Sequence, residues 1–547
     1  MACHHDHAPL SRRGFLAGGA AALAGATLLR GSPASALLGA GGAGGVGGTE
    51  PFGLAVAFPA TAGQRAALAA FDLTHGVREG GVEVLLWPGD RARLGLTGIR
   101  HRVLVDDLVR HDQEVARAAA GGPPYAVAQP GQVADYRTLA DHQADMAALI
   151  AARPDLCRWV VLPEPTLEGR TVMGIEIADQ VARPDGRPTF YVDGLHHARE
   201  WPSGELAMMF ATDLVQGEGT DARITSLLAR CRVLVVPVVN ADGFAHSRGF
   251  PIDDRELELA TAIVGAGSYW RKNRRALTGD LGLGQLGSLT AYGVDPNRNY
   301  GIQWGGPGAS DVAVQQDYRG PEVFSEPESR NVNRMYLTRG VTAVLTNHTY
   351  SDLVLRPWGD TEADSPDEPL LRQLGDACAA INGYTSQKSI ALYPTTGTSE
   401  DHAYAAVGAL AYTFEHGLDA FHPPYAGFIP EAYAKNREPF MILAEAAADP
   451  AHHCVITGKT VTTAGTGVAT DVVIRKTVTV PTAAGTVVDV LTFPLRSRDD
   501  GTFTAHVGPS TSPTSSVQEA FEIVTSRRTR RVAVARGERV KVPNILS

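Results

Sequence analysis

Between Tyr136 and Asp449, short continuous apolar runs alternate with stretches whose apolar residues recur every three or four positions. The strongest runs are Thr189 to Leu195, Arg232 to Val239, Val341 to Thr346 and Ala409 to Phe414. Their length and β-branched content predict strands buried on both faces. Leu139 to Ala152 has helical spacing. The alternation predicts an α/β domain over residues 130–450, a mixed, mostly parallel doubly wound sheet flanked by helices. Two long glycine-rich stretches, Leu277 to Gly293 and Gly301 to Gly320, interrupt it, and long loops in a domain of this kind are often functional.

The pattern differs on either side. Val82 to Trp87 and Arg102 to Leu108 read as strands around a charged, helix-compatible stretch from Gly89 to Leu94, which predicts a small α/β domain over 51–122. Gly121-Gly122-Pro123-Pro124 and Pro130-Gly131 mark a linker after it. Beyond Pro450, short strands are expected at 455–458, 471–475, 477–480, 487–493, 502–507 and 521–524, separated by Gly, Pro, Thr and Ser. That spacing suggests a β-sandwich over 454–547.

The 547 residues are 44% hydrophobic and carry a net charge of -10. The balance lacks the clustered basic footprint of a nucleic-acid binder. No uncharged apolar run reaches the roughly 18 residues of a membrane span in the body of the chain. At the N-terminus, Ser11-Arg12-Arg13-Gly14-Phe15-Leu16 precedes an Ala/Gly/Leu stretch to Leu29, followed by Ala34-Ser35-Ala36. Residues 1–36 read as a twin-arginine signal and 37–50 as a flexible leader, so a secreted, periplasmic or cell-surface location is expected. Of the cysteines, Cys3 would leave with the signal. Cys157, Cys231, Cys378 and Cys454 remain, none in a Cys-x-x-Cys pair, which disfavours a thiolate metal site.

Each of the four strong runs stops at a residue that can bind or assist a metal: His196-His197 with Glu200, Asn240 with Asp242, His348, and Glu415. Ligands of open α/β sheets sit at the carboxyl ends of the strands. A catalytic zinc takes three protein ligands and keeps a position for water. His197, Glu200 and His348 fit, with His196 competing for the first place. A carboxylate must still move protons, and Glu415 is the candidate. A developing oxyanion needs a fixed donor, which Trp270-Arg271-Lys272-Asn273-Arg274-Arg275 or Asn297-Arg298-Asn299 can offer. Lys272 and Arg274 are expected on a solvated face.

Together, His197-Ala198-Arg199-Glu200-Trp201, Trp270-Arg271-Lys272, Asn297-Arg298-Asn299, His348 and Glu415 resemble the zinc metallocarboxypeptidases of the carboxypeptidase A/B type. The resemblance spans about Tyr136 to Asp449 and includes Leu167-Glu168-Gly169-Arg170 and Ser325-Glu326-Pro327-Glu328. It implies one Zn2+ held by His197, Glu200 and His348, the family ligand set. Arg271 would polarise the scissile carbonyl, and Glu415 would be the general base. Asn297 and Arg298 would hold the substrate's C-terminal carboxylate. Tyr393 would close over it, and Arg199 and Tyr350 would line the outer cleft. Glu400 stands where the family has its pocket-floor residue, implying acceptance of basic C-terminal residues. The expected partners are peptide or protein C-termini. His402 replaces a frequent Trp. The N-terminal unit lies where relatives carry a propeptide, and the C-terminal one resembles transthyretin-like domains. A peptidoglycan stem-peptide hydrolase on the same fold is the alternative enzyme. A silent peptide-binding module is the alternative of another class, and the intact ligand set with Glu415 speaks against it.

Overall fold

A computed structural model describes residues 51–111, 135–249, 267–276 and 293–547, except 52, 69–70, 79, 88, 109, 314, 392 and 419. The signal at 1–36, the leader at 37–50, the linker around 121–131 and most of the first glycine-rich loop lie outside the described residues.

Twenty strands follow one another among the described residues. Four belong to an N-terminal sheet: β1 (Gly53–Phe58), β2 (Asp72–Arg78), β3 (Gly81–Leu86) and β4 (Arg100–Val105). Eight form the central sheet: β5 (Cys157–Val161), β6 (Met173–Ile177), β7 (Thr189–Asp193), β8 (Arg232–Val236), β9 (Val341–His348), β10 (Leu353–Arg356), β11 (Thr385–Lys388) and β12 (Leu410–Glu415). Its order is β11-β10-β12-β9-β7-β8-β6-β5.

The four strong apolar runs have become β7, β8, β9 and β12, adjacent in the sheet and parallel to one another. Every residue in these four strands is buried. Their largely apolar character follows from helix cover, since Trp201–Gly217, Pro327–Thr338, Ser399–Val407 and Tyr425–Ala448 all pack on β9. Antiparallel pairs β5–β6, β6–β8 and β10–β12 flank this centre, and β11 runs parallel to β10. All four parallel strands of the centre deliver their carboxyl ends to one edge, with Glu415 beside His348 in the β12–β9 register.

The N-terminal sheet, order β2-β3-β1-β4, is antiparallel throughout. Two short helices, Ala62–Leu68 and Asp90–Leu96, accompany it.

The last eight strands are β13 (Cys454–Val461), β14 (Asp471–Thr482), β15 (Gly485–Arg496), β16 (Thr502–Val507), β17 (Phe521–Val524), β18 (Thr529–Val532), β19 (Arg539–Lys541) and β20 (Ile545–Leu546). They make two sheets, β16-β13-β19 with β20 beside β13, and β15-β14-β17-β18. The expected strands 471–475 and 477–480 are one continuous strand. Lys476 looked like a break because a charge falls on the buried face. Its aliphatic stem is buried there, while Nζ donates to the Pro509 carbonyl at 3.1 Å and sits over the Phe521 ring. All four cysteines from Cys157 onward are buried and free. Among the described residues, no helix is long and apolar enough to cross a membrane.

Candidate active site

β7 ends and the chain turns through His196 and His197 to Glu200, which stands at the N-cap position of the helix Trp201–Gly217. β9 ends on His348. These two strands are neighbours, so three donors separated by up to 151 positions converge. His197 Nδ1 lies 2.7 Å from Glu200 Oε1, and His348 Nδ1 lies 2.8 Å from Glu200 Oε2. The two Nδ1 atoms are 3.2 Å apart. All three residues are buried, and they form the one group of potential metal ligands found among the described residues.

The far side of the His197 ring tests whether a cation fits. His197 Nε2 lies 3.1 Å from Asp295 Oδ1. A proton donated there fixes the tautomer and leaves the Nδ1 lone pair facing carboxylate oxygens. Ring nitrogens of two imidazoles and both oxygens of one carboxylate meet here, a donor set that a cation among them would hold together. Nitrogen and oxygen donors in this number suit zinc. His196 is engaged elsewhere: its Nε2 meets the Tyr300 hydroxyl at 2.8 Å. The competition between the two histidines is thereby resolved in geometry. Asn240, at the end of β8, serves the backbone. It donates to the His196 carbonyl at 3.2 Å and accepts from Gly243 N at 2.9 Å.

Asp295 had no role in the sequence reading, although it sits two residues before Asn297. It is the hinge of the site. Its Oδ2 accepts from Arg271 Nη2 at 2.8 Å and Nε at 3.1 Å, while Oδ1 faces His197 and the Asn297 amide. Burial works to raise its carboxyl, but Arg271, His197 and Arg298 outweigh it and hold it well below the usual aspartate range. Arg271 is 3% exposed. Burial opposes its charge, and Asp295, Asp72 and Glu200 restore it, raising it above the usual guanidinium value.

Lys272 is not on a solvated face. It is buried and donates from Nζ to the carbonyls of Ala313 and Gln315, at 2.9 and 3.0 Å. Burial pulls its ammonium down to about 8, against Asp317 and Asp295. The run looked solvated because it is dense in charge, yet Trp270, Arg271, Lys272 and Asn273 are all buried. Arg274 does lie outward, over the Trp270 ring and near Glu168.

Asn297, Arg298, Tyr393, Glu400 and Glu415 line one cavity together with Leu355, Ser389, Thr395, Thr398 and Thr413. Arg298 is fixed by donating to the carbonyls of Gly308 and Asn297, at 2.9 and 2.8 Å. Asn297 Oδ1 accepts from Ser399 N at 2.8 Å, tying it to the first turn of the helix Ser399–Val407 that carries Glu400. Glu400 is 3% exposed. Its Oε2 has no hydrogen-bond partner among the described residues, and Oε1 has only Ser389 Oγ at 3.5 Å. Burial first and Glu400 second push the neighbouring Asp401 carboxyl well above the usual range.

Arg199 and Tyr350 are both fully buried, beneath the N-terminal sheet. Arg199 makes a two-pronged pair with Asp72 of β2, at 2.7 and 2.9 Å, and stacks on Phe421. Tyr350 packs in one cluster with Leu54, Leu85 and Leu108, and Tyr393 in another with Leu73, Val84 and Leu94. Phe71, Asp72 and Leu73 share a cavity with Arg271, Arg298 and Tyr393. Nothing in the alternation of β2 announces this partnership, since Asp72 pairs across a long sequence separation.

The zinc carboxypeptidase family model matches residues 142–438, which include His197, Glu200, Arg271, Asp295, Arg298, His348 and Glu415 but not Asp72 and its neighbours on the N-terminal sheet. Carboxypeptidase A1 of Rattus norvegicus is 27% identical over 356 residues, 62% of this chain and 78% of the relative. Carboxypeptidase B of Astacus astacus is 32% identical over 259 residues, 45% of this chain and 75% of the relative. In fold, the crystal structure of the carboxypeptidase A from Helicoverpa armigera matches with a TM-score of 0.60 at 21% identity, over 73% of this chain and 98% of that one. Thrombin activatable fibrinolysis inhibitor matches with 0.55 at 21% identity over the same shares. With a family match over more than half its length and a His197–Glu200–His348 cluster fit for one zinc ion, the chain belongs to the zinc carboxypeptidase family and is a metallocarboxypeptidase.

Proposed function

We propose that this metallocarboxypeptidase releases single C-terminal residues and prefers lysine or arginine there. The observation that carries the preference is Glu400, a buried carboxylate with an unpartnered oxygen in the cavity that also holds Arg298 and Glu415. A buried charge without a partner is costly, and a guanidinium or ammonium entering the cavity relieves that cost.

His197, Glu200 and His348 would hold the zinc. Bound there, it supplies Lewis acidity and a water made acidic enough to ionise near neutral pH. Asn297 and Arg298 take the substrate's terminal carboxylate, Arg298 through its guanidinium fork. Tyr393 covers that carboxylate and helps to exclude water. Arg271 holds the oxygen of the scissile carbonyl as negative charge develops on it. Glu415 accepts the proton of the attacking water and returns it to the departing amine. Export rests on Arg12-Arg13 and the apolar stretch that follows them.

Acyl-dipeptides with varied C-terminal residues test the reading, with and without chelator. Chelation is expected to abolish hydrolysis and added zinc to restore it. Activity that survives complete metal removal overturns the zinc assignment. Equal or faster release of leucine or phenylalanine than of arginine overturns the preference.

The covered state of Arg199 supports a second reading, in which the N-terminal sheet restrains the enzyme. The outer cleft side chains that would meet substrate meet Asp72 and its neighbours instead. An engineered protease site placed between residues 112 and 134 is expected to raise kcat/KM about tenfold or more on cutting. Unchanged activity would make the sheet a permanent accessory. Burial tends to raise the Asp72 carboxyl, but Arg199 and Arg271 lower it overall. A depressed carboxyl contributes stability above its ordinary value, about 3.9, and loses it as pH falls through the depressed one. Restraint is therefore expected to be flat through neutral pH and to weaken only in acid below about 4.

A further inference from the structure

β14 and β15 form the longest hairpin described, paired without interruption from Asp471↔Arg496 to Thr482↔Gly485. Its length is more than the C-terminal sandwich needs, because its tip leaves the sandwich and bonds to the catalytic part. Gln303 N donates to the Pro481 carbonyl at 2.7 Å, and Ala483 N donates to the Trp304 carbonyl at 3.0 Å. Trp304 is itself held from inside the loop, donating from Nε1 to the Arg319 carbonyl at 3.1 Å with the Arg319 guanidinium over its ring. Four residues further on, Gly308 offers the carbonyl that fixes Arg298 Nε. Gly308 has φ +78, and a Cβ there would lie 1.6 Å from the Pro394 carbonyl oxygen, so this loop lies hard against the chain that carries Tyr393.

The flank of the same hairpin reaches the other wall. Asp489 of β15 accepts from Asn333 Nδ2 at 3.1 Å, and Asn333 Oδ1 meets His402 Nε2 at 3.0 Å. His402 is 2% exposed and lies two residues beyond Glu400 on the helix Ser399–Val407. One hairpin therefore supports both the loop behind Arg298 and the helix that carries Glu400.

We propose that the β14–β15 hairpin is a positioning element of the substrate pocket: its tip sets Arg298 through the 301–308 loop, and Asp489 sets the Glu400 helix through Asn333 and His402. The proposal rests on the reading of Arg298 and Glu400 as the pocket for the C-terminal residue. Pro481, Ala483 and Asp489 touch no substrate; they act through others.

Two variants of the full-length enzyme test it. The first removes the matched pairs Thr479↔Val488 and Val480↔Val487. This keeps the turn and the in-out alternation and withdraws the tip by roughly 7 Å. KM for a peptide ending in arginine is expected to rise about tenfold with kcat within about twofold, because ground-state and transition-state binding are lost together. The second is Asp489→Ala, expected to change the arginine-to-leucine ratio of kcat/KM about fivefold, with Asp489→Asn, whose amide oxygen still accepts from Asn333, restoring it. Unchanged KM in the first and an unchanged ratio in the second overturn the proposal. So does a joint fall of kcat, zinc content and Tm, which would mark a structural brace. Failure of the underlying pocket reading shows separately, as a wild-type enzyme indifferent to the C-terminal side chain.

Discussion

Glu415→Gln is expected to lower kcat about 10²- to 10⁴-fold while zinc content and KM stay near those of the unaltered enzyme. The amide has the shape of the carboxylate and cannot accept the proton. The other carboxylates of the site are placed for other contacts. Glu200 faces both imidazoles, Asp295 is shared between His197 and Arg271, and Glu400 lies at Ser389 on the helix beyond. Glu415 is placed by the β12–β9 register beside His348, so its position is inherited from the sheet and not from a loop. Single-turnover hydrolysis with parallel metal analysis separates loss of the base from loss of zinc. A kcat within about threefold of the original would move the base elsewhere, and a zinc-free protein would make Glu415 a structural support of the metal cluster.

Glu400→Gln is expected to lower kcat/KM for C-terminal arginine and lysine by about 2–4 kcal/mol, or roughly 30- to 1000-fold, and to leave leucine much less affected. The loss is large because the cavity would present a substrate cation with no buried counter-charge. It is selective because Arg298, proposed to take the carboxylate common to all substrates, is untouched. Competition between peptides that differ only in the last residue reads the ratio directly. Equal losses for arginine and leucine would show that Glu400 shapes the cavity without choosing its occupant.

The centre of the fold was legible because it obeys local rules. Strands covered by helices on the central sheet must be largely apolar, so β7, β8, β9 and β12 stand out as apolar runs and their ends point to the chemistry. What those ends do not reveal is which neighbour each will meet. His196 and His197 are indistinguishable as adjacent letters; the Tyr300 hydroxyl and Asp295, both from a distant segment, separate them. Lys272 and Lys476 misled in the same way. Each is a charge whose stem is buried and whose ammonium finds backbone carbonyls contributed by remote chain. Asp72 was silent because its meaning comes from Arg199, which lies 127 positions away. Local periodicity reports burial, whereas pairing across the fold must be seen.

Asp295 limits how this enzyme can vary. One carboxylate orients the ring of a metal-ligand candidate and anchors the guanidinium assigned to the oxyanion. A substitution at 295 is therefore felt at both places at once, and neither metal retention nor transition-state support can be adjusted there alone. Asp295→Asn would offer one oxygen to two donors that now have one each. Variants that tune turnover without loosening zinc are to be sought at the contacts of Arg298 and Glu400, leaving position 295 the most constrained in the site.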